Sequence, residues 1–273
     1  MGWRAVVSVG LGGFFAATIR SGAAYSAEPA ATDVCHLKTW GIPWIHDWDT
    51  HHQLRAGSVQ HAARSPQYKR QVLLIRHGQY ENEGGSDDSS QTLTPIGVEQ
   101  AIETGKYLKK LFQDSNLILS REPRFVYQST LSRARQTSAL ILEAFPDSTR
   151  NVLCTEPLLK EKFPCDPEPP YRHKKASVKS MEEAELAFIK FIHRPLSDET
   201  TTDVVIGHAN VIRYLLCRSL QIPPEAWLRF SLPHCSVTSI VVSGNGNVSV
   251  TMVGSNFHLD PKLQTVNNIA AKS

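Results

Sequence analysis

Val72-Leu73-Leu74-Ile75-Arg76-His77-Gly78 and Val204-Val205-Ile206-Gly207-His208-Ala209 are the two stretches of this 273-residue chain from which its fold can be read. Each is a short run of β-branched and leucine residues that stops at a histidine beside a glycine. An unbroken apolar run of this length is what a strand buried on both faces requires. Working outward, short runs at 125–128, 151–154, 237–242 and 248–253 also read as strands. Helical periodicity fills the gaps at 95–112, 131–145, 181–193 and 210–220. Thr94 before Pro95 supplies a natural N-cap with proline at the first helical position, and Gly244-Asn245-Gly246 marks a hairpin turn. Alternating strands and helices predict an α/β domain: a mostly parallel central sheet with helices on both faces, in three α/β/α layers.

In an open parallel sheet the carboxyl ends of the strands line the ligand crevice. His77 and His208 both follow strands directly, so the two imidazoles are expected to face one pocket. The helix that starts after His208 adds an anion-attracting N-terminus. A third strand, 125–128, leads into Ser129, Arg133 and Thr137, which recur every four residues along one helix face. Arg135 projects elsewhere, as a solvated surface charge. Arg76 and Arg133 then converge on the histidines. Guanidinium forks match phosphate oxygens bidentately, so the expected ligand is a phosphoryl group.

Composition narrows the remaining classes. Apolar residues make up 41% and charged residues 20% of the chain, which excludes a disordered or fibrous protein. A formal charge of +3 is too small for the concentrated basic stripe of a nucleic-acid binder. Five widely spaced cysteines, with no Cys-x-x-Cys pair, exclude a disulfide scaffold and a cysteine-built zinc site. Residues 1–27 hold no acidic side chain, and Arg4 and Arg20 bracket an apolar run. This pattern fits a secretory leader, a mitochondrial targeting segment or a membrane anchor. Residues 28–69 read as a linker. It contains three tryptophans in nine residues, Trp40, Trp44 and Trp48. Such an island either docks on a partner or packs back on its own domain. Residues 156–178 are Pro- and Lys-rich and follow neither period, as expected of a substrate lid.

The motifs Arg76-His77-Gly78, Leu93-Thr94-Pro95 with Gly97, Gln100 and Ala101, the Ser129/Arg133/Thr137 run and Gly207-His208-Ala209 occur in the order found in the histidine phosphatase (phosphoglycerate mutase-like) superfamily. The resemblance spans about residues 71–253. Leu74 to Tyr80, His208 to Tyr214 and the segments Cys217 to Gln221, Pro223 to Glu225 and Trp227 to Arg229 are similar to its mitochondrial branch of serine/threonine phosphatases. The resemblance implies a metal-independent phosphatase, with no cofactor, that hydrolyses phosphomonoesters through a phosphohistidine on His77. Phosphoserine and phosphothreonine in proteins at a mitochondrial membrane are the implied substrates. It implies Arg76, Arg133 and His208 as phosphate ligands. Leu158-Leu159-Lys160-Glu161 matches the family's Leu-Leu-Arg-Glu and makes Glu161 the general acid, with Asp166 and Glu168 as competitors. Lys162 stands where the family usually has glycine. The family's assembly motif is only partly kept, in Trp44, Trp48 and Asp49, so homo-oligomerisation through that segment is an open expectation. A small-molecule phosphomonoesterase or a phosphoglycerate mutase-type enzyme is the first alternative; a non-catalytic membrane scaffold is the second. The expected organisation is an anchor or mitochondrial targeting segment at 1–27, linker at 28–69, catalytic domain at 70–255 and tail at 256–273.

Overall fold

Val72, Leu73, Leu74 and Ile75 are all fully buried, and they alternate between two separate cores. That alternation is the three-layer arrangement written in four residues. In the computed structural model, which describes residues 43–49, 65–81 and 88–266, strand β1 is Lys69–Arg76. It is followed by α1 (Pro95–Asp114), β2 (Val126–Ser129), α2 (Ser132–Leu142), α3 (Asp147–Arg150) and β3 (Leu153–Glu156). Then come α4 (Val178–Phe191), β4 (Thr201–Gly207), α5 (Ala209–Ser219), β5 (Val237–Ser243) and β6 (Val248–Ser255). The six strands form one sheet in the order β3-β2-β4-β1-β5-β6. β3, β2, β4 and β1 run parallel, and β5 and β6 close one side antiparallel.

Val72, Leu74, Val205, Ile240 and Val242 pack on one face with Phe188 and Phe191 of α4 and Ile212 and Leu215 of α5. Leu73, Ile75, Val204, Ile206 and Val237 pack on the other with Leu108 and Phe112 of α1 and Ile141 of α2. Each fully buried leucine or isoleucine contributes about 1.5–3 kcal/mol by leaving water, so the two faces together dominate the stability of the sheet.

Several boundaries differ from the sequence reading, two of them for evident local reasons. α2 stops at Leu142 rather than running to 145, because Pro146 stands four residues on and starts the short α3 instead. The third strand begins at Leu153, since Asn151 and Val152 are spent on the turn that ends α3.

Part of the tryptophan island packs on the domain that follows it. The Trp48 indole N–H donates to Gly246 O at 2.9 Å, and its ring lies 5.8 Å from that of Phe188. Asp49 Oδ2 accepts from Arg194 N at 2.9 Å, while the buried Arg194 guanidinium pairs with the Asp49 carboxylate and donates to His46 O. Ile45 exchanges two hydrogen bonds with the Gln221 side chain. The anchor or targeting segment at 1–27, Trp40, most of the linker and the last seven residues lie outside the described residues. Among the described residues no helix is long and apolar enough to cross a membrane.

Candidate active site

Strand register brings the two histidines together. In the parallel β1/β4 ladder Arg76 pairs with Gly207, and His77 N donates to Gly207 O at 3.0 Å. The next residues out, His77 and His208, therefore stand side by side with ring centroids 5.0 Å apart. β2 pairs Gln128 with Ile206, which sets Ser129 beside His208; the Ser129 hydroxyl lies 2.8 Å from His208 Nε2. Ser129 thus acts from the last strand position, not from the helix face that also carries Arg133 and Thr137. Thr137 Oγ1 accepts from Gly78 N at 3.0 Å and ties that helix to the turn after His77. The turn itself is built on close approach. A Cβ on Gly97 would sit 1.9 Å from Gln79 O, so the start of α1 meets this turn only because both Gly78 and Gly97 lack side chains. Thr94 caps α1 by accepting from Gly97 N at 3.0 Å, as its sequence position predicts.

The tautomer of His77 follows from its partners. Nδ1 lies 2.7 Å from Gly78 O, a pure acceptor, so Nδ1 carries the proton and Nε2 presents its lone pair. Arg133 Nε donates to that Nε2 at 3.3 Å. Burial, reinforced by His208, Arg76 and Arg133, holds the His77 pKa well below the usual histidine value. His208 is pushed the same way by burial and then by Arg133 and Arg76. Both imidazoles are neutral at physiological pH.

Three guanidiniums surround them. Arg76 donates to Leu232 O at 2.5 Å and to His234 Nε2 at 3.0 Å, and burial lowers its pKa to about 10. Arg133 donates to Gln91 Oε1 at 2.6 Å and lies over the Tyr80 ring, 4.6 Å from its centre. Arg213 donates to Asn210 Oδ1 at 3.1 Å. Arg76 Nε, Arg213 Nε and His208 Nδ1 are buried without a hydrogen-bond partner among the described residues. Buried donors are normally paired, and an oxyanion in the adjoining cavity, which Arg76 and Arg213 line, would pair theirs. That cavity, of about 210 Å3, is lined by Arg76, His77, Arg133, Glu161, Asn210 and Arg213. Phe163, Tyr171 and Lys174 from the irregular 156–178 segment also line it.

Glu161 is the one carboxylate among the described residues lining the cavity. Burial raises its pKa, against the opposing pull of Arg133, Arg76 and Arg213. It is not tied up as a surface ion pair, because the Lys162 ammonium is held by Glu183 at 3.1 Å and Leu158 O at 3.0 Å. Its competitors are engaged elsewhere. The Asp166 carboxylate accepts from Ala176 N and Lys175, and Glu168 is exposed, its carbonyl taken by Arg229. Arg135 is exposed, as its helical position requires. Arg213 and His234 were not singled out by sequence. Arg213 lies on α5, the helix that His208 caps, but its offset of five residues from His208 is not a same-face repeat. His234 lies in a loop with no local pattern.

Comparison with known proteins identifies the family to which this fold belongs. A family model described as the histidine phosphatase superfamily (branch 1) matches residues 72–162 and 154–254. The chain is 43% identical over 194 residues to the serine/threonine-protein phosphatase PGAM5, mitochondrial, of Xenopus laevis, covering 69% of this chain and 66% of that protein. The chain therefore spans about two thirds of that relative's length. It is 35% identical over 238 residues to the protein of the same name from Homo sapiens, covering 80% of this chain and 78% of that one. Among solved structures, a phosphoserine phosphatase mutant from Entamoeba histolytica shares the fold with a TM-score of 0.51 at 20% identity, covering 70% of this chain and 100% of that one. With its histidine pair, its arginines and its sheet all in the matched region, this chain belongs to the histidine phosphatase superfamily, branch 1.

Proposed function

We propose that this chain is a phosphatase that transfers the phosphoryl group of a phosphomonoester to His77 and then to water. The observation that carries the reading is the cavity itself: the His77 imidazole, three guanidiniums and the Glu161 carboxyl line it, and the His208 ring stands 5.0 Å from that of His77. His77 Nε2, already the lone-pair nitrogen, attacks phosphorus. The P–O bond to the leaving group breaks, and Glu161 protonates the departing alkoxide. Arg76, Arg133 and the His208 Nδ1–H stabilise charge on the transferring group. Ser129, donating to His208 Nε2, leaves that Nδ1–H free for phosphate. In the second step the Glu161 carboxylate takes a proton from water, which attacks phosphorus. The P–N bond breaks, and inorganic phosphate and neutral His77 result. The side-chain cations supply the neutralisation that a metal ion would otherwise give.

Phosphoserine and phosphothreonine in proteins are the proposed substrates and mitochondria the proposed location, on the strength of relatives named as mitochondrial serine/threonine-protein phosphatases. Attachment to a mitochondrial membrane would rest on residues 1–27. Assembly of copies through Trp44, Trp48 and Asp49 would require exchange of docked segments between chains, since Trp48 and Asp49 already bond Gly246 and Arg194. Side-by-side turnover of phosphoserine peptides, phosphothreonine peptides and sugar phosphates tests the substrate class. Preference for the peptides, abolished by His77→Ala, is the expected result. Preference for the small esters would favour the small-molecule alternative, and undiminished turnover by His77→Ala would remove the mechanism.

A further inference from the structure

The Arg76 guanidinium is not steered by its own strand alone. Its NH2 donates to His234 Nε2 at 3.0 Å. Since arginine can only donate, His234 Nε2 must be the bare nitrogen, and its proton sits on Nδ1. Nδ1 donates to Thr265 Oγ1 at 2.8 Å, and His234 N also donates to Thr265 O at 3.0 Å. Thr265 Oγ1 accepts a second bond, from Gln100 Nε2, at 2.8 Å. Gln100 Nε2 further donates to Leu263 O at 2.6 Å, and its Oε1 accepts from Gln79 N at 2.8 Å. The chain of bonds thus leaves the active-site turn at Arg76 and returns to it at Gln79. It passes through the C-terminal segment on the way. Bonds on both ring nitrogens and on the backbone N–H fix one orientation of His234. The His234 ring lies 5.9 Å from that of His77 and is buried.

We infer that His234, locked by Thr265, is the positioning residue that aims Arg76 at the phosphoryl group, so that the C-terminal segment sets the affinity of the phosphate site. The inference rests on the cavity being a phosphate site. His234 touches no reacting atom on this account. It acts through Arg76, whose other amino group is held by Leu232 O and whose Nε is left for the ligand.

The test is binding of inorganic orthovanadate and phosphate to the full chain, measured by calorimetry, which needs no turnover. His234→Leu removes the acceptor and is expected to weaken oxyanion binding roughly tenfold or more, as loss of a bond to a charged group does. His234→Gln, whose carbonyl can reach the position of Nε2, is expected to restore most of the affinity. Thr265→Val removes the lock on the tautomer together with the bond from Gln100 Nε2, with an expected loss of about two- to tenfold. In an Arg76→Ala background His234→Leu should change nothing further. Circular dichroism melting of each variant separates misfolding from mispositioning. Should His234→Leu not fold, His234→Gln and Thr265→Val still read the effect. Undiminished affinity in His234→Leu, or an equal loss with and without Arg76, would overturn the role of His234. Failure of the wild-type chain to bind either oxyanion would instead overturn the phosphate-site reading beneath it.

Discussion

Replacing Glu161 by Gln isolates proton transfer from everything else in the cavity. The amide has the shape of the protonated acid, and its oxygen can still accept from Lys162 N, which reaches Glu161 Oε1 at 3.1 Å. It cannot give up a proton. A positioned general acid is worth about 10²–10⁴ in rate, or roughly 2.7–5.5 kcal/mol of barrier at about 1.36 kcal/mol per tenfold. Turnover of a phosphoserine peptide should fall by that factor. Oxyanion affinity should not fall with it: removing a negative charge from beside Arg133, Arg76 and Arg213 leaves their pull on a phosphate undiminished or stronger. The loss therefore belongs in kcat rather than KM. A nitrophenyl ester sharpens the contrast, because nitrophenolate departs without a proton while the second step still needs a base. Stopped-flow assay of Glu161→Gln with p-nitrophenyl phosphate should show a burst of about one nitrophenolate per chain and then slow turnover. A phosphopeptide rate within about tenfold of wild type, in a variant that melts normally, would refute the assignment of Glu161.

Two further outcomes follow from burial and from pairing. His77 and His208 stay neutral in the folded chain, with pKa values well below the ordinary one, whereas an unfolded imidazole takes up its proton near pH ~6.5. Their contribution to stability is complete above that pH and is lost as the pH falls towards the folded values. The slope is at most about 1.4 kcal/mol per pH unit for each histidine. Denaturant unfolding between pH 7.5 and 5 should show this slope, and a His77→Ala/His208→Ala chain should show a flatter one; identical slopes would contradict the reading. Asp49→Ala strips the buried Arg194 of its carboxylate and should weaken docking of the tryptophan segment by about 3–5 kcal/mol. Hydrogen exchange at residues 44–49 would then rise sharply, and unchanged protection there would contradict the pairing.

The parts of this molecule that were legible in sequence are those encoded locally. A strand buried on both faces shows as an unbroken apolar run, so the positions of His77 and His208 at strand ends could be read directly. Thr94-Pro95 announced the start of α1 with equal clarity. Register is different, because the pairing of Arg76 with Gly207 is a property of the sheet and not of either strand. Helical spacing placed Arg133 and Thr137 correctly but extended the same helix back to Ser129, which the sheet claims instead. His234 had no signature at all, since the group it serves is 158 residues earlier in the chain. The tryptophan segment was ambiguous for the same reason: its partners, Arg194 and Gly246, are distant in sequence and only the folded domain brings them together.

On the proposed mechanism the phosphoryl group passes through His77 Nε2. Rapid acid-free quenching of the wild-type chain with a radiolabelled phosphoserine peptide, followed by peptide mapping, measures this directly. At most one phosphoryl group per chain is expected, stable to base, labile to acid and located on His77. It should accumulate further in Glu161→Gln, where hydrolysis of the intermediate is slowed. Steady release of phosphate with no acid-labile label on the chain, or label on another residue, would contradict the mechanism.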